Sequence, residues 1–435
     1  MLNVKTVTVL GANGTMGTNV SAIFASFGNA KVYMISRNIE QSRLAVERAG
    51  KSVHASSICK NLIPADYSSL DDCLQDSDLV FESVAEDLDI KLAIHSKISQ
   101  MIKKGTIVCT GTSGFSVTRL AERYYSDMRS RFFGVHFFNP PYVLPLCELI
   151  ASPYSDKDIY QELKSYLQGT LFRVVAESKD SPAFLGNRIG FYFLNEALQY
   201  AEKYKERGGI DYMDAILGPF TGRTMAPLVT ADFVGLDVHK AIVDNIFLST
   251  DDYAHDAFVL PPFVGDLISE KKLGRKSGQG LYKVHKEEDG STRKMVWDIY
   301  TKQYRDVVDY SFVFAGNMKR HLSRGEYKMA LKELVENPSE EADICLRFLL
   351  RYIIYSIFIA KQVGYRAEVA DDVMAAGFTW CPPFALIDAF NCNCDLKTML
   401  DSRIDPEIKS SVDIDELLQD CPRSKYDFRI YFKAR

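Results

Sequence analysis

The chain has 435 residues, of which 47% are hydrophobic and 25% are charged, a composition typical of globular proteins. One hydrophobic core rarely organises a chain of this length, so two or three domains are predicted. The net charge is −5 and the sequence pI is about 5.9, with acidic and basic residues mixed along the whole chain. This pattern excludes a dedicated nucleic-acid-binding protein, which would carry a basic face or stripe.

Targeting, membrane and metal signals are weak. Met1–Lys5 lead straight into an apolar strand, so no signal peptide is expected. The most apolar later stretch, Phe348–Ala360, is interrupted by Arg351 and is too short to span a bilayer, so it is predicted to be a buried helix. The nine cysteines include no CxxC pair, and the close pair Cys392 and Cys394 lacks a second ligand pair for a metal. We expect a cytoplasmic protein with reduced thiols, no metal and no membrane or nucleic-acid partner.

The first half of the chain alternates strand-like and helix-like segments. The predicted strands are Thr6–Leu10, Lys31–Ser36, Leu79–Ser83, Thr106–Cys109 and Phe132–His136. The predicted helices are Met16–Phe27, Gln41–Gly50 and Ile90–Lys103. Such alternation needs crossover connections, which predicts a mostly parallel, doubly wound sheet of the Rossmann type.

The first strand runs into a glycine-rich loop and then a helix. Glycines at this place let the backbone approach a pyrophosphate, which the positive end of the helix attracts. The alternative is a tight turn without a ligand, and the spacing G-x-x-G-x-x-G differs from the commoner G-x-G-x-x-G. The predicted nucleotide-binding residues of this loop are Gly11, Asn13, Gly14, Thr15, Met16 and Gly17.

The second strand ends in Ser36 and Arg37, where NAD-binding sheets usually place a carboxylate for the ribose 2′-hydroxyl. A guanidinium forms charge-assisted hydrogen bonds to a 2′-phosphate, and no carboxylate is present to repel it. The residues therefore favour NADP. The alternative is that Arg37 is a solvated strand-end residue that stacks on adenine.

His136 ends a predicted strand at the sheet edge where ligands bind. Glu148 lies in a second apolar segment, Leu146–Ile150, where an unpaired carboxylate would be costly to bury. A His–Glu pair would satisfy both groups and give a general base held in one tautomer.

Helical patterns dominate after about Val175. Pro182–Arg207 has apolar residues at helical spacing, Lys283–Lys294 is predicted to be an exposed turn, and Ser323–Glu341 a surface helix or linker. A faint repeat is also present: Pro227 precedes Asp232 by five residues, as Pro383 precedes Asp388, each after a long apolar helix.

Together these motifs resemble the 3-hydroxyacyl-CoA dehydrogenase family. The resemblance spans residues 6 to about 285, and the remainder is similar to the second, degenerate helical copy of the long multifunctional members. It implies a Rossmann-like NAD(P)-binding domain at 1–180, a first helical domain at 181–309 and a degenerate second one at 310–435. The matching stretches are Gly134–Pro140, Leu146–Ile150, Lys179–Arg188, Ala231–Asp237 and Gly274–Tyr282.

The resemblance implies hydride transfer between C3 of a (3S)-3-hydroxyacyl-CoA and a nicotinamide, with NAD as the usual cofactor. Ser113 would contact substrate and nicotinamide, or else only cap a helix beginning near Phe115. Glu86 and Lys91 would contact the cofactor, or else form an exposed ion pair. The implied roles are catalysis for His136, Glu148, Ser113 and Asn187, and cofactor binding for Glu86, Lys91 and Lys276.

The sequence departs from the family pattern at several positions. The family usually has Asn where Gly111 stands and Gly where Ala183 and Ala226 stand, and the segment between Arg37 and Asp66, which carries coenzyme A contacts, is shortened. Two other functions therefore stay open: a dehydrogenase of a free hydroxy acid, and an idle nucleotide-binding scaffold. For assembly we expect a monomer in which residues 181–285 pack against 310–435 as an internal pseudo-dimer.

Overall fold

The structure, a computed structural model, describes residues 2–53, 56–287, 290–392, 396–419 and 421–434. It divides into two compact units, residues 1–184 with 363–365 and residues 185–362 with 366–435. The first unit thus ends close to the boundary at residue 180 that the sequence suggested. The further division at residues 309 and 310 stays a prediction.

In its described residues the first unit contains an eight-stranded sheet in the order β3-β2-β1-β4-β5-β6-β7-β8. All neighbouring strands are parallel except β6 and β7, which are antiparallel. The predicted mostly parallel, doubly wound sheet is confirmed. The strands are β1 (Thr6–Leu10), β2 (Lys31–Ser36), β3 (Leu62–Asp66), β4 (Leu79–Glu82), β5 (Ile107–Thr110), β6 (Phe132–Phe137), β7 (Leu146–Ala151) and β8 (Val174–Ser178).

Helices connect these strands, except β6 and β7, and bury both faces of the sheet. Successive residues of a strand enter two different cores, as Val9 and Leu10 do, because side chains alternate across a sheet. The helices are α1 (Thr15–Ser26), α2 (Ile39–Val53), α3 (Ser56–Cys59), α4 (Leu70–Asp76), α5 (Leu88–Ile98), α6 (Val117–Ala121), α7 (Ser126–Arg129) and α8 (Lys157–Gly169).

The second unit is mainly helical. Its first helices are α9 (Gly186–Lys203), α10 (Ile210–Ile216), α11 (Pro227–Val234), α12 (Leu236–Ser249) and α13 (Pro262–Ser269). A small antiparallel sheet follows, made of β9 (Tyr282–Lys286), β10 (Thr292–Asp298) and β11 (Gln303–Asp306). The later helices are α14 (Val313–Ser323), α15 (Tyr327–Glu336), α16 (Glu340–Val363), α17 (Val369–Val373), α18 (Pro383–Asn391), α19 (Leu396–Arg403), α20 (Pro406–Ser411) and α21 (Ile414–Leu418).

One sequence prediction in this unit needs correction. Lys283–Lys294 is not simply a turn, because most of it lies in the paired strands β9 and β10. Its lysines and arginine project from an exposed sheet, so their charge hid the strand pattern. Residues 288–289 and Cys394 lie outside the described residues. For Ser323–Glu341, predicted as a surface helix or linker, the structure shows the helix α15.

Phe348–Ala360 is a buried helical segment, as predicted, within the longer helix α16. Among the described residues no single helix is long and apolar enough to cross a membrane. The helical segments Val369–Phe378 and Pro383–Asn391 pass that test only as a pair bent by 104°.

The predicted repeat corresponds to a recurring hydrogen-bond pattern. Asp214 accepts the backbone amides of Leu228 and Val229 at the start of α11, with distances of 2.7 and 3.1 Å. Asp371 likewise accepts the amide of Phe384 at the start of α18, at 2.9 Å. Further along, Asp232 accepts the amide of Leu281 and Asp388 that of Ser424. Matching caps in the same chain order support a duplication, which we keep as a proposal.

Candidate active site

The His136–Glu148 pair forms between β6 and β7, which are paired antiparallel in the large sheet. In the register of β6 against β7, His136 stands directly opposite Glu148. His136 Nδ1 lies 2.8 Å from Glu148 Oε2, and both side chains are buried. Because Nδ1 is occupied by the carboxylate, Nε2 is the nitrogen left for proton exchange with a substrate.

Apolar and polar neighbours fix this pair. The ring of Phe138 lies 4.7 Å from the imidazole and that of Phe184 lies 5.8 Å away, measured between centroids. Ser178 Oγ, at the end of β8, donates to Glu148 Oε1 at 3.4 Å. A dry setting strengthens the interaction of an imidazolium with the carboxylate, which is what a general base requires.

The glycine loop lies at the point where the strand order reverses between β1 and β4, the place where such sheets bind nucleotides. Gly11 has φ +75°, and a Cβ there would be 2.3 Å from the carbonyl oxygen of Ser83. A Cβ on Gly17 would be 2.4 Å from the carbonyl oxygen of Gly11. Both positions therefore need glycine for close backbone approach. Gly14 caps α1 without a side-chain hydrogen bond, so the helix N-terminus is open to an anion.

A cavity of about 620 Å³ begins at this loop and runs along the carboxyl ends of the strands of the first unit. Of the residues predicted to bind the cofactor or substrate, those that line it are Gly11, Asn13, Gly14, Thr15, Met16, Ser36, Arg37, Glu86 and Ser113, whereas Gly17, Lys91 and Lys276 do not. Ser36 is 2% exposed, and its hydroxyl has no hydrogen-bond partner among the described residues. An unsatisfied buried hydroxyl is costly unless a ligand pairs with it, so the cavity fits a nucleotide.

Lys91 is buried, so the alternative that Glu86 and Lys91 form an exposed ion pair is wrong. Its side chain is fully buried, with Nζ 2.8 Å from Glu82 Oε1 and 3.2 Å from Glu86 Oε2. Burial favours the neutral lysine, but the two carboxylates outweigh burial and raise the pKa of Lys91. Lys91 thus lies behind the cavity wall, and we propose that it acts on a cofactor only through Glu86, rather than by the direct contact that the family resemblance implies.

Glu82, at the end of β4, is a site residue that the sequence interpretation missed. It is fully buried and accepts hydrogen bonds from Thr110 Oγ1 and from the backbone amide of Val84. Burial alone would raise its pKa, but the charge of Lys91 and the contact with His95 hold it at about 2. The signal was available, because a carboxylate in an apolar strand is the feature that identified Glu148.

Ser113 lies in the loop after β5, and its backbone amide donates to Glu86 Oε1 at 2.8 Å. Ser116, not Ser113, caps the next helix by accepting from the amide of Arg119. The alternative role of Ser113 as a cap is therefore wrong. A Cβ at Gly111 would be 2.8 Å from the ring of Phe81, so any larger residue at this position would require that ring to move.

Asn187 and Lys276 lie in the second unit. Asn187 is 5% exposed in the first turn of α9. Lys276 Nζ forms an ion pair with Asp237 at 2.5 Å. Ala183 has φ +57°, which agrees with the glycine usual in the family there, whereas Ala226 has φ −61° and needs none. The roles of Asn187 and Lys276 stay predictions.

A doubly wound sheet with a glycine loop at its switch point and a buried His–Glu pair defines a dinucleotide-binding oxidoreductase. Residues 6–180 match the family model described as "3-hydroxyacyl-CoA dehydrogenase, NAD binding domain". Residues 184–284 match "3-hydroxyacyl-CoA dehydrogenase, C-terminal domain". The chain belongs to the 3-hydroxyacyl-CoA dehydrogenase family, which confirms the resemblance.

Relatives extend these matches. A probable 3-hydroxyacyl-CoA dehydrogenase of Deinococcus radiodurans is 32% identical over 67% of this chain and 86% of its own length. A probable 3-hydroxyacyl-CoA dehydrogenase of Bacillus subtilis is 30% identical over 73% of this chain. The matched region covers only 39% of that relative's length. The crystal structure of 3-hydroxybutyryl-CoA dehydrogenase from Escherichia coli shares the fold over 88% of this chain and 91% of its own, with a TM-score of 0.66 at 21% identity.

Proposed function

We propose that this chain catalyses reversible hydride transfer between C3 of a (3S)-3-hydroxyacyl-CoA and NAD(P). The observation that carries the proposal is the buried His136–Glu148 contact of 2.8 Å in the sheet of a nucleotide-binding unit. In the oxidative direction His136 Nε2 accepts the proton of the 3-hydroxyl, and Glu148 stabilises the imidazolium. A bound nicotinamide supplies the hydride acceptor. A positioned base contributes about 10²–10⁴-fold, and orientation of the substrate contributes the rest. Ser113 and Asn187 are proposed to polarise the 3-oxygen or the thioester carbonyl.

Turnover assays test this function. Acetoacetyl-CoA should oxidise NADH or NADPH in the presence of the protein, whereas free acetoacetate should not. Turnover of the free acid alone would favour the hydroxy-acid dehydrogenase, and binding of nucleotide without any turnover would favour the idle scaffold.

The described cysteines form no disulfide, which supports the proposed reducing, cytoplasmic location.

A preference for NADPH is the finer proposal. Its support is that β2 ends in the buried Ser36 and is followed by the exposed Arg37, so this strand end offers a guanidinium in place of the usual carboxylate. The matching family model is described as NAD binding, so the two cofactors have to be compared directly.

Arg37→Asp should shift the ratio of kcat/KM values toward NADH by roughly tenfold or more, since a charge-assisted phosphate contact is replaced by repulsion. Lys157→Asp, at the exposed start of α8, makes the same change in net charge and should leave the ratio unaltered. A wild-type protein that prefers NADH would refute the proposed NADPH preference and leave the dehydrogenase function intact.

A further inference from the structure

Glu86 stands at one end of the nucleotide cavity. The cavity is lined by Ser36 and Arg37 after β2, and by Glu86 and Ser113 in the loops after β4 and β5. In doubly wound sheets the residue after the second strand meets the adenosine ribose, so the opposite end of the cavity receives the nicotinamide. Glu86 therefore belongs to the part of the wall where the redox-active ring would be bound.

The carboxylate of Glu86 is held from three directions. Its Oε1 accepts the Thr112 hydroxyl at 2.6 Å and the Ser113 amide at 2.8 Å. Its Oε2 lies 3.2 Å from the ammonium of Lys91. These contacts join the loops after β4 and β5, although the Glu86 side chain itself is 41% exposed. The charge at this wall is thus fixed in position while it still faces the cavity.

The charges behind the wall do not neutralise Glu86. Lys91 makes its closer contact, 2.8 Å, with the fully buried Glu82. The pKa of Glu82 is lowered to about 2 and that of Lys91 is raised, so both are charged near neutral pH and offset each other. The contacts of His95 are with Glu82, at 3.3 Å, and with the Tyr124 hydroxyl, at 2.8 Å. One carboxylate charge is therefore left at the cavity.

We propose that Glu86 tunes the redox balance of the bound nucleotide by favouring its oxidised form. The nicotinamide ring is cationic when oxidised and neutral when reduced, so a fixed carboxylate beside it stabilises the oxidised ring selectively. The inference rests on the proposed function. It implies that the site favours conversion of 3-oxoacyl thioester, reduced nucleotide and a proton into 3-hydroxyacyl thioester and oxidised nucleotide.

Nucleotide binding measures this effect without turnover. Calorimetric titration gives Kd for the oxidised and the reduced form of the preferred nucleotide, in wild type and in Glu86→Gln, Glu86→Asp and Asp89→Asn. Glu86→Gln should weaken binding of the oxidised form relative to binding of the reduced form by about 3- to 10-fold, which is the scale of one partly screened charge interaction. A tenfold change equals a shift of about 30 mV for this two-electron couple. Glu86→Asp keeps the charge and should largely keep the ratio. Asp89→Asn removes an exposed charge in the first turn of α5 and should not change it.

The outcomes separate the inference from the proposed function. A relative loss of binding of the oxidised form in Glu86→Gln alone supports the inference, and an opposite shift overturns it. Equal weakening of the binding of both forms would show that Glu86 only orders the loops. The same shift in Asp89→Asn would show that the effect comes from net charge alone. Either result overturns the inference, and the proposed function stands as long as the protein turns over its substrate. A wild-type protein that binds neither form overturns the proposed function as well.

Discussion

At the scale of single residues, burial is what makes His136 and Glu148 informative. An antiparallel pair of strands brings residues 136 and 148 into register, so a separation of 12 in sequence becomes a direct cross-strand contact. Either group alone would be buried at a considerable cost in free energy, whereas together they form a satisfied and oriented pair. The same geometry that stabilises the strands therefore prepares the base.

His136→Ala should lower kcat by about three orders of magnitude, because the base and the orienting contact are lost together. Glu148→Gln should reduce kcat less, since an amide can still orient the ring but cannot stabilise its charge. The control is His285→Ala, at an exposed position of β9, which should keep full activity. Full activity in His136→Ala would exclude the proposed mechanism.

Residue types and spacing were enough to predict the glycine loop, Ser36, Arg37 and the His–Glu pair as site residues, because each departs from what its local element needs. Glu82 carried the same signal as Glu148, a carboxylate in an apolar strand, and was overlooked, whereas the burial of Lys91 could not be predicted. A lysine is rarely buried completely. The residues next to Lys91 in the chain do not show that its side chain pairs with Glu82 at the end of β4. Pairings between separate elements require the three-dimensional structure.

At the scale of elements, the sequence predicted the strongly apolar strands of the large sheet and missed β3 and β8. The bounds of β1 and β2 agree with the prediction. Strand β3 was missed because it contains Pro64, which is tolerated there since β3 is an edge strand. Strand β8 lies where the apolar pattern weakens, and its alignment comes from pairing with β7. Partner strands, rather than local propensity, form these elements.

Helices α9 and α12 are joined by a buried polar contact, His239 Nε2 to Asn195 Oδ1 at 3.0 Å. Asn195 donates its amide hydrogens to the carbonyls of Ala257 and Val259, so its oxygen faces His239 and the imidazole must donate. Burial of this neutral ring lowers the pKa of His239 to about 3. The contact therefore links the packing of two helices to pH.

Acidification should weaken the second unit through His239. Below pH 6.5 the unfolded chain binds a proton that the folded state does not, so the free energy of unfolding falls as pH falls from about 6.5 toward 3, by about 1.4 kcal/mol per pH unit. Urea unfolding at pH 6.5 and 5 should show a loss about 2 kcal/mol larger in wild type than in His239→Gln, which keeps a donor but cannot titrate. His285→Gln should behave like wild type. Equal losses in all three proteins would contradict the assignment.

At the scale of the whole molecule, the second unit is held together by contacts between its earlier and later helices. Helix α9 packs along α16, where the rings of Tyr192 and Tyr355 stack at 4.2 Å and Phe193 meets Phe348 at 5.3 Å. Arg351 of α16 pairs with the buried Glu196 of α9. The later helices therefore cover an apolar face of α9, which supports the proposed internal pseudo-dimer.

The predicted consequence is that the complete chain is a monomer, whereas a fragment that lacks the later helices is not. A cut at residue 290 would separate β9 from β10, so the fragment should be 1–309, which keeps the small sheet intact. Without residues 310–435, Phe193 and its buried neighbours on α9 would face solvent, and a large apolar patch drives association.

In the complete chain, a subtler change tests the same contact. Gly190 of α9 lies against Phe378, and a Cβ there would be 2.2 Å from the ring, so Gly190→Leu should force the helices apart. Gly316→Leu, in α14 where a Cβ meets nothing within 4 Å, is the matched control. Light scattering should find monomers for the wild type and the control, and dimers or aggregates for the fragment and for Gly190→Leu. A monomeric, soluble fragment, or a wild-type dimer, would contradict the pseudo-dimer, because in either case the later helices would not be what keeps α9 from pairing with a second chain.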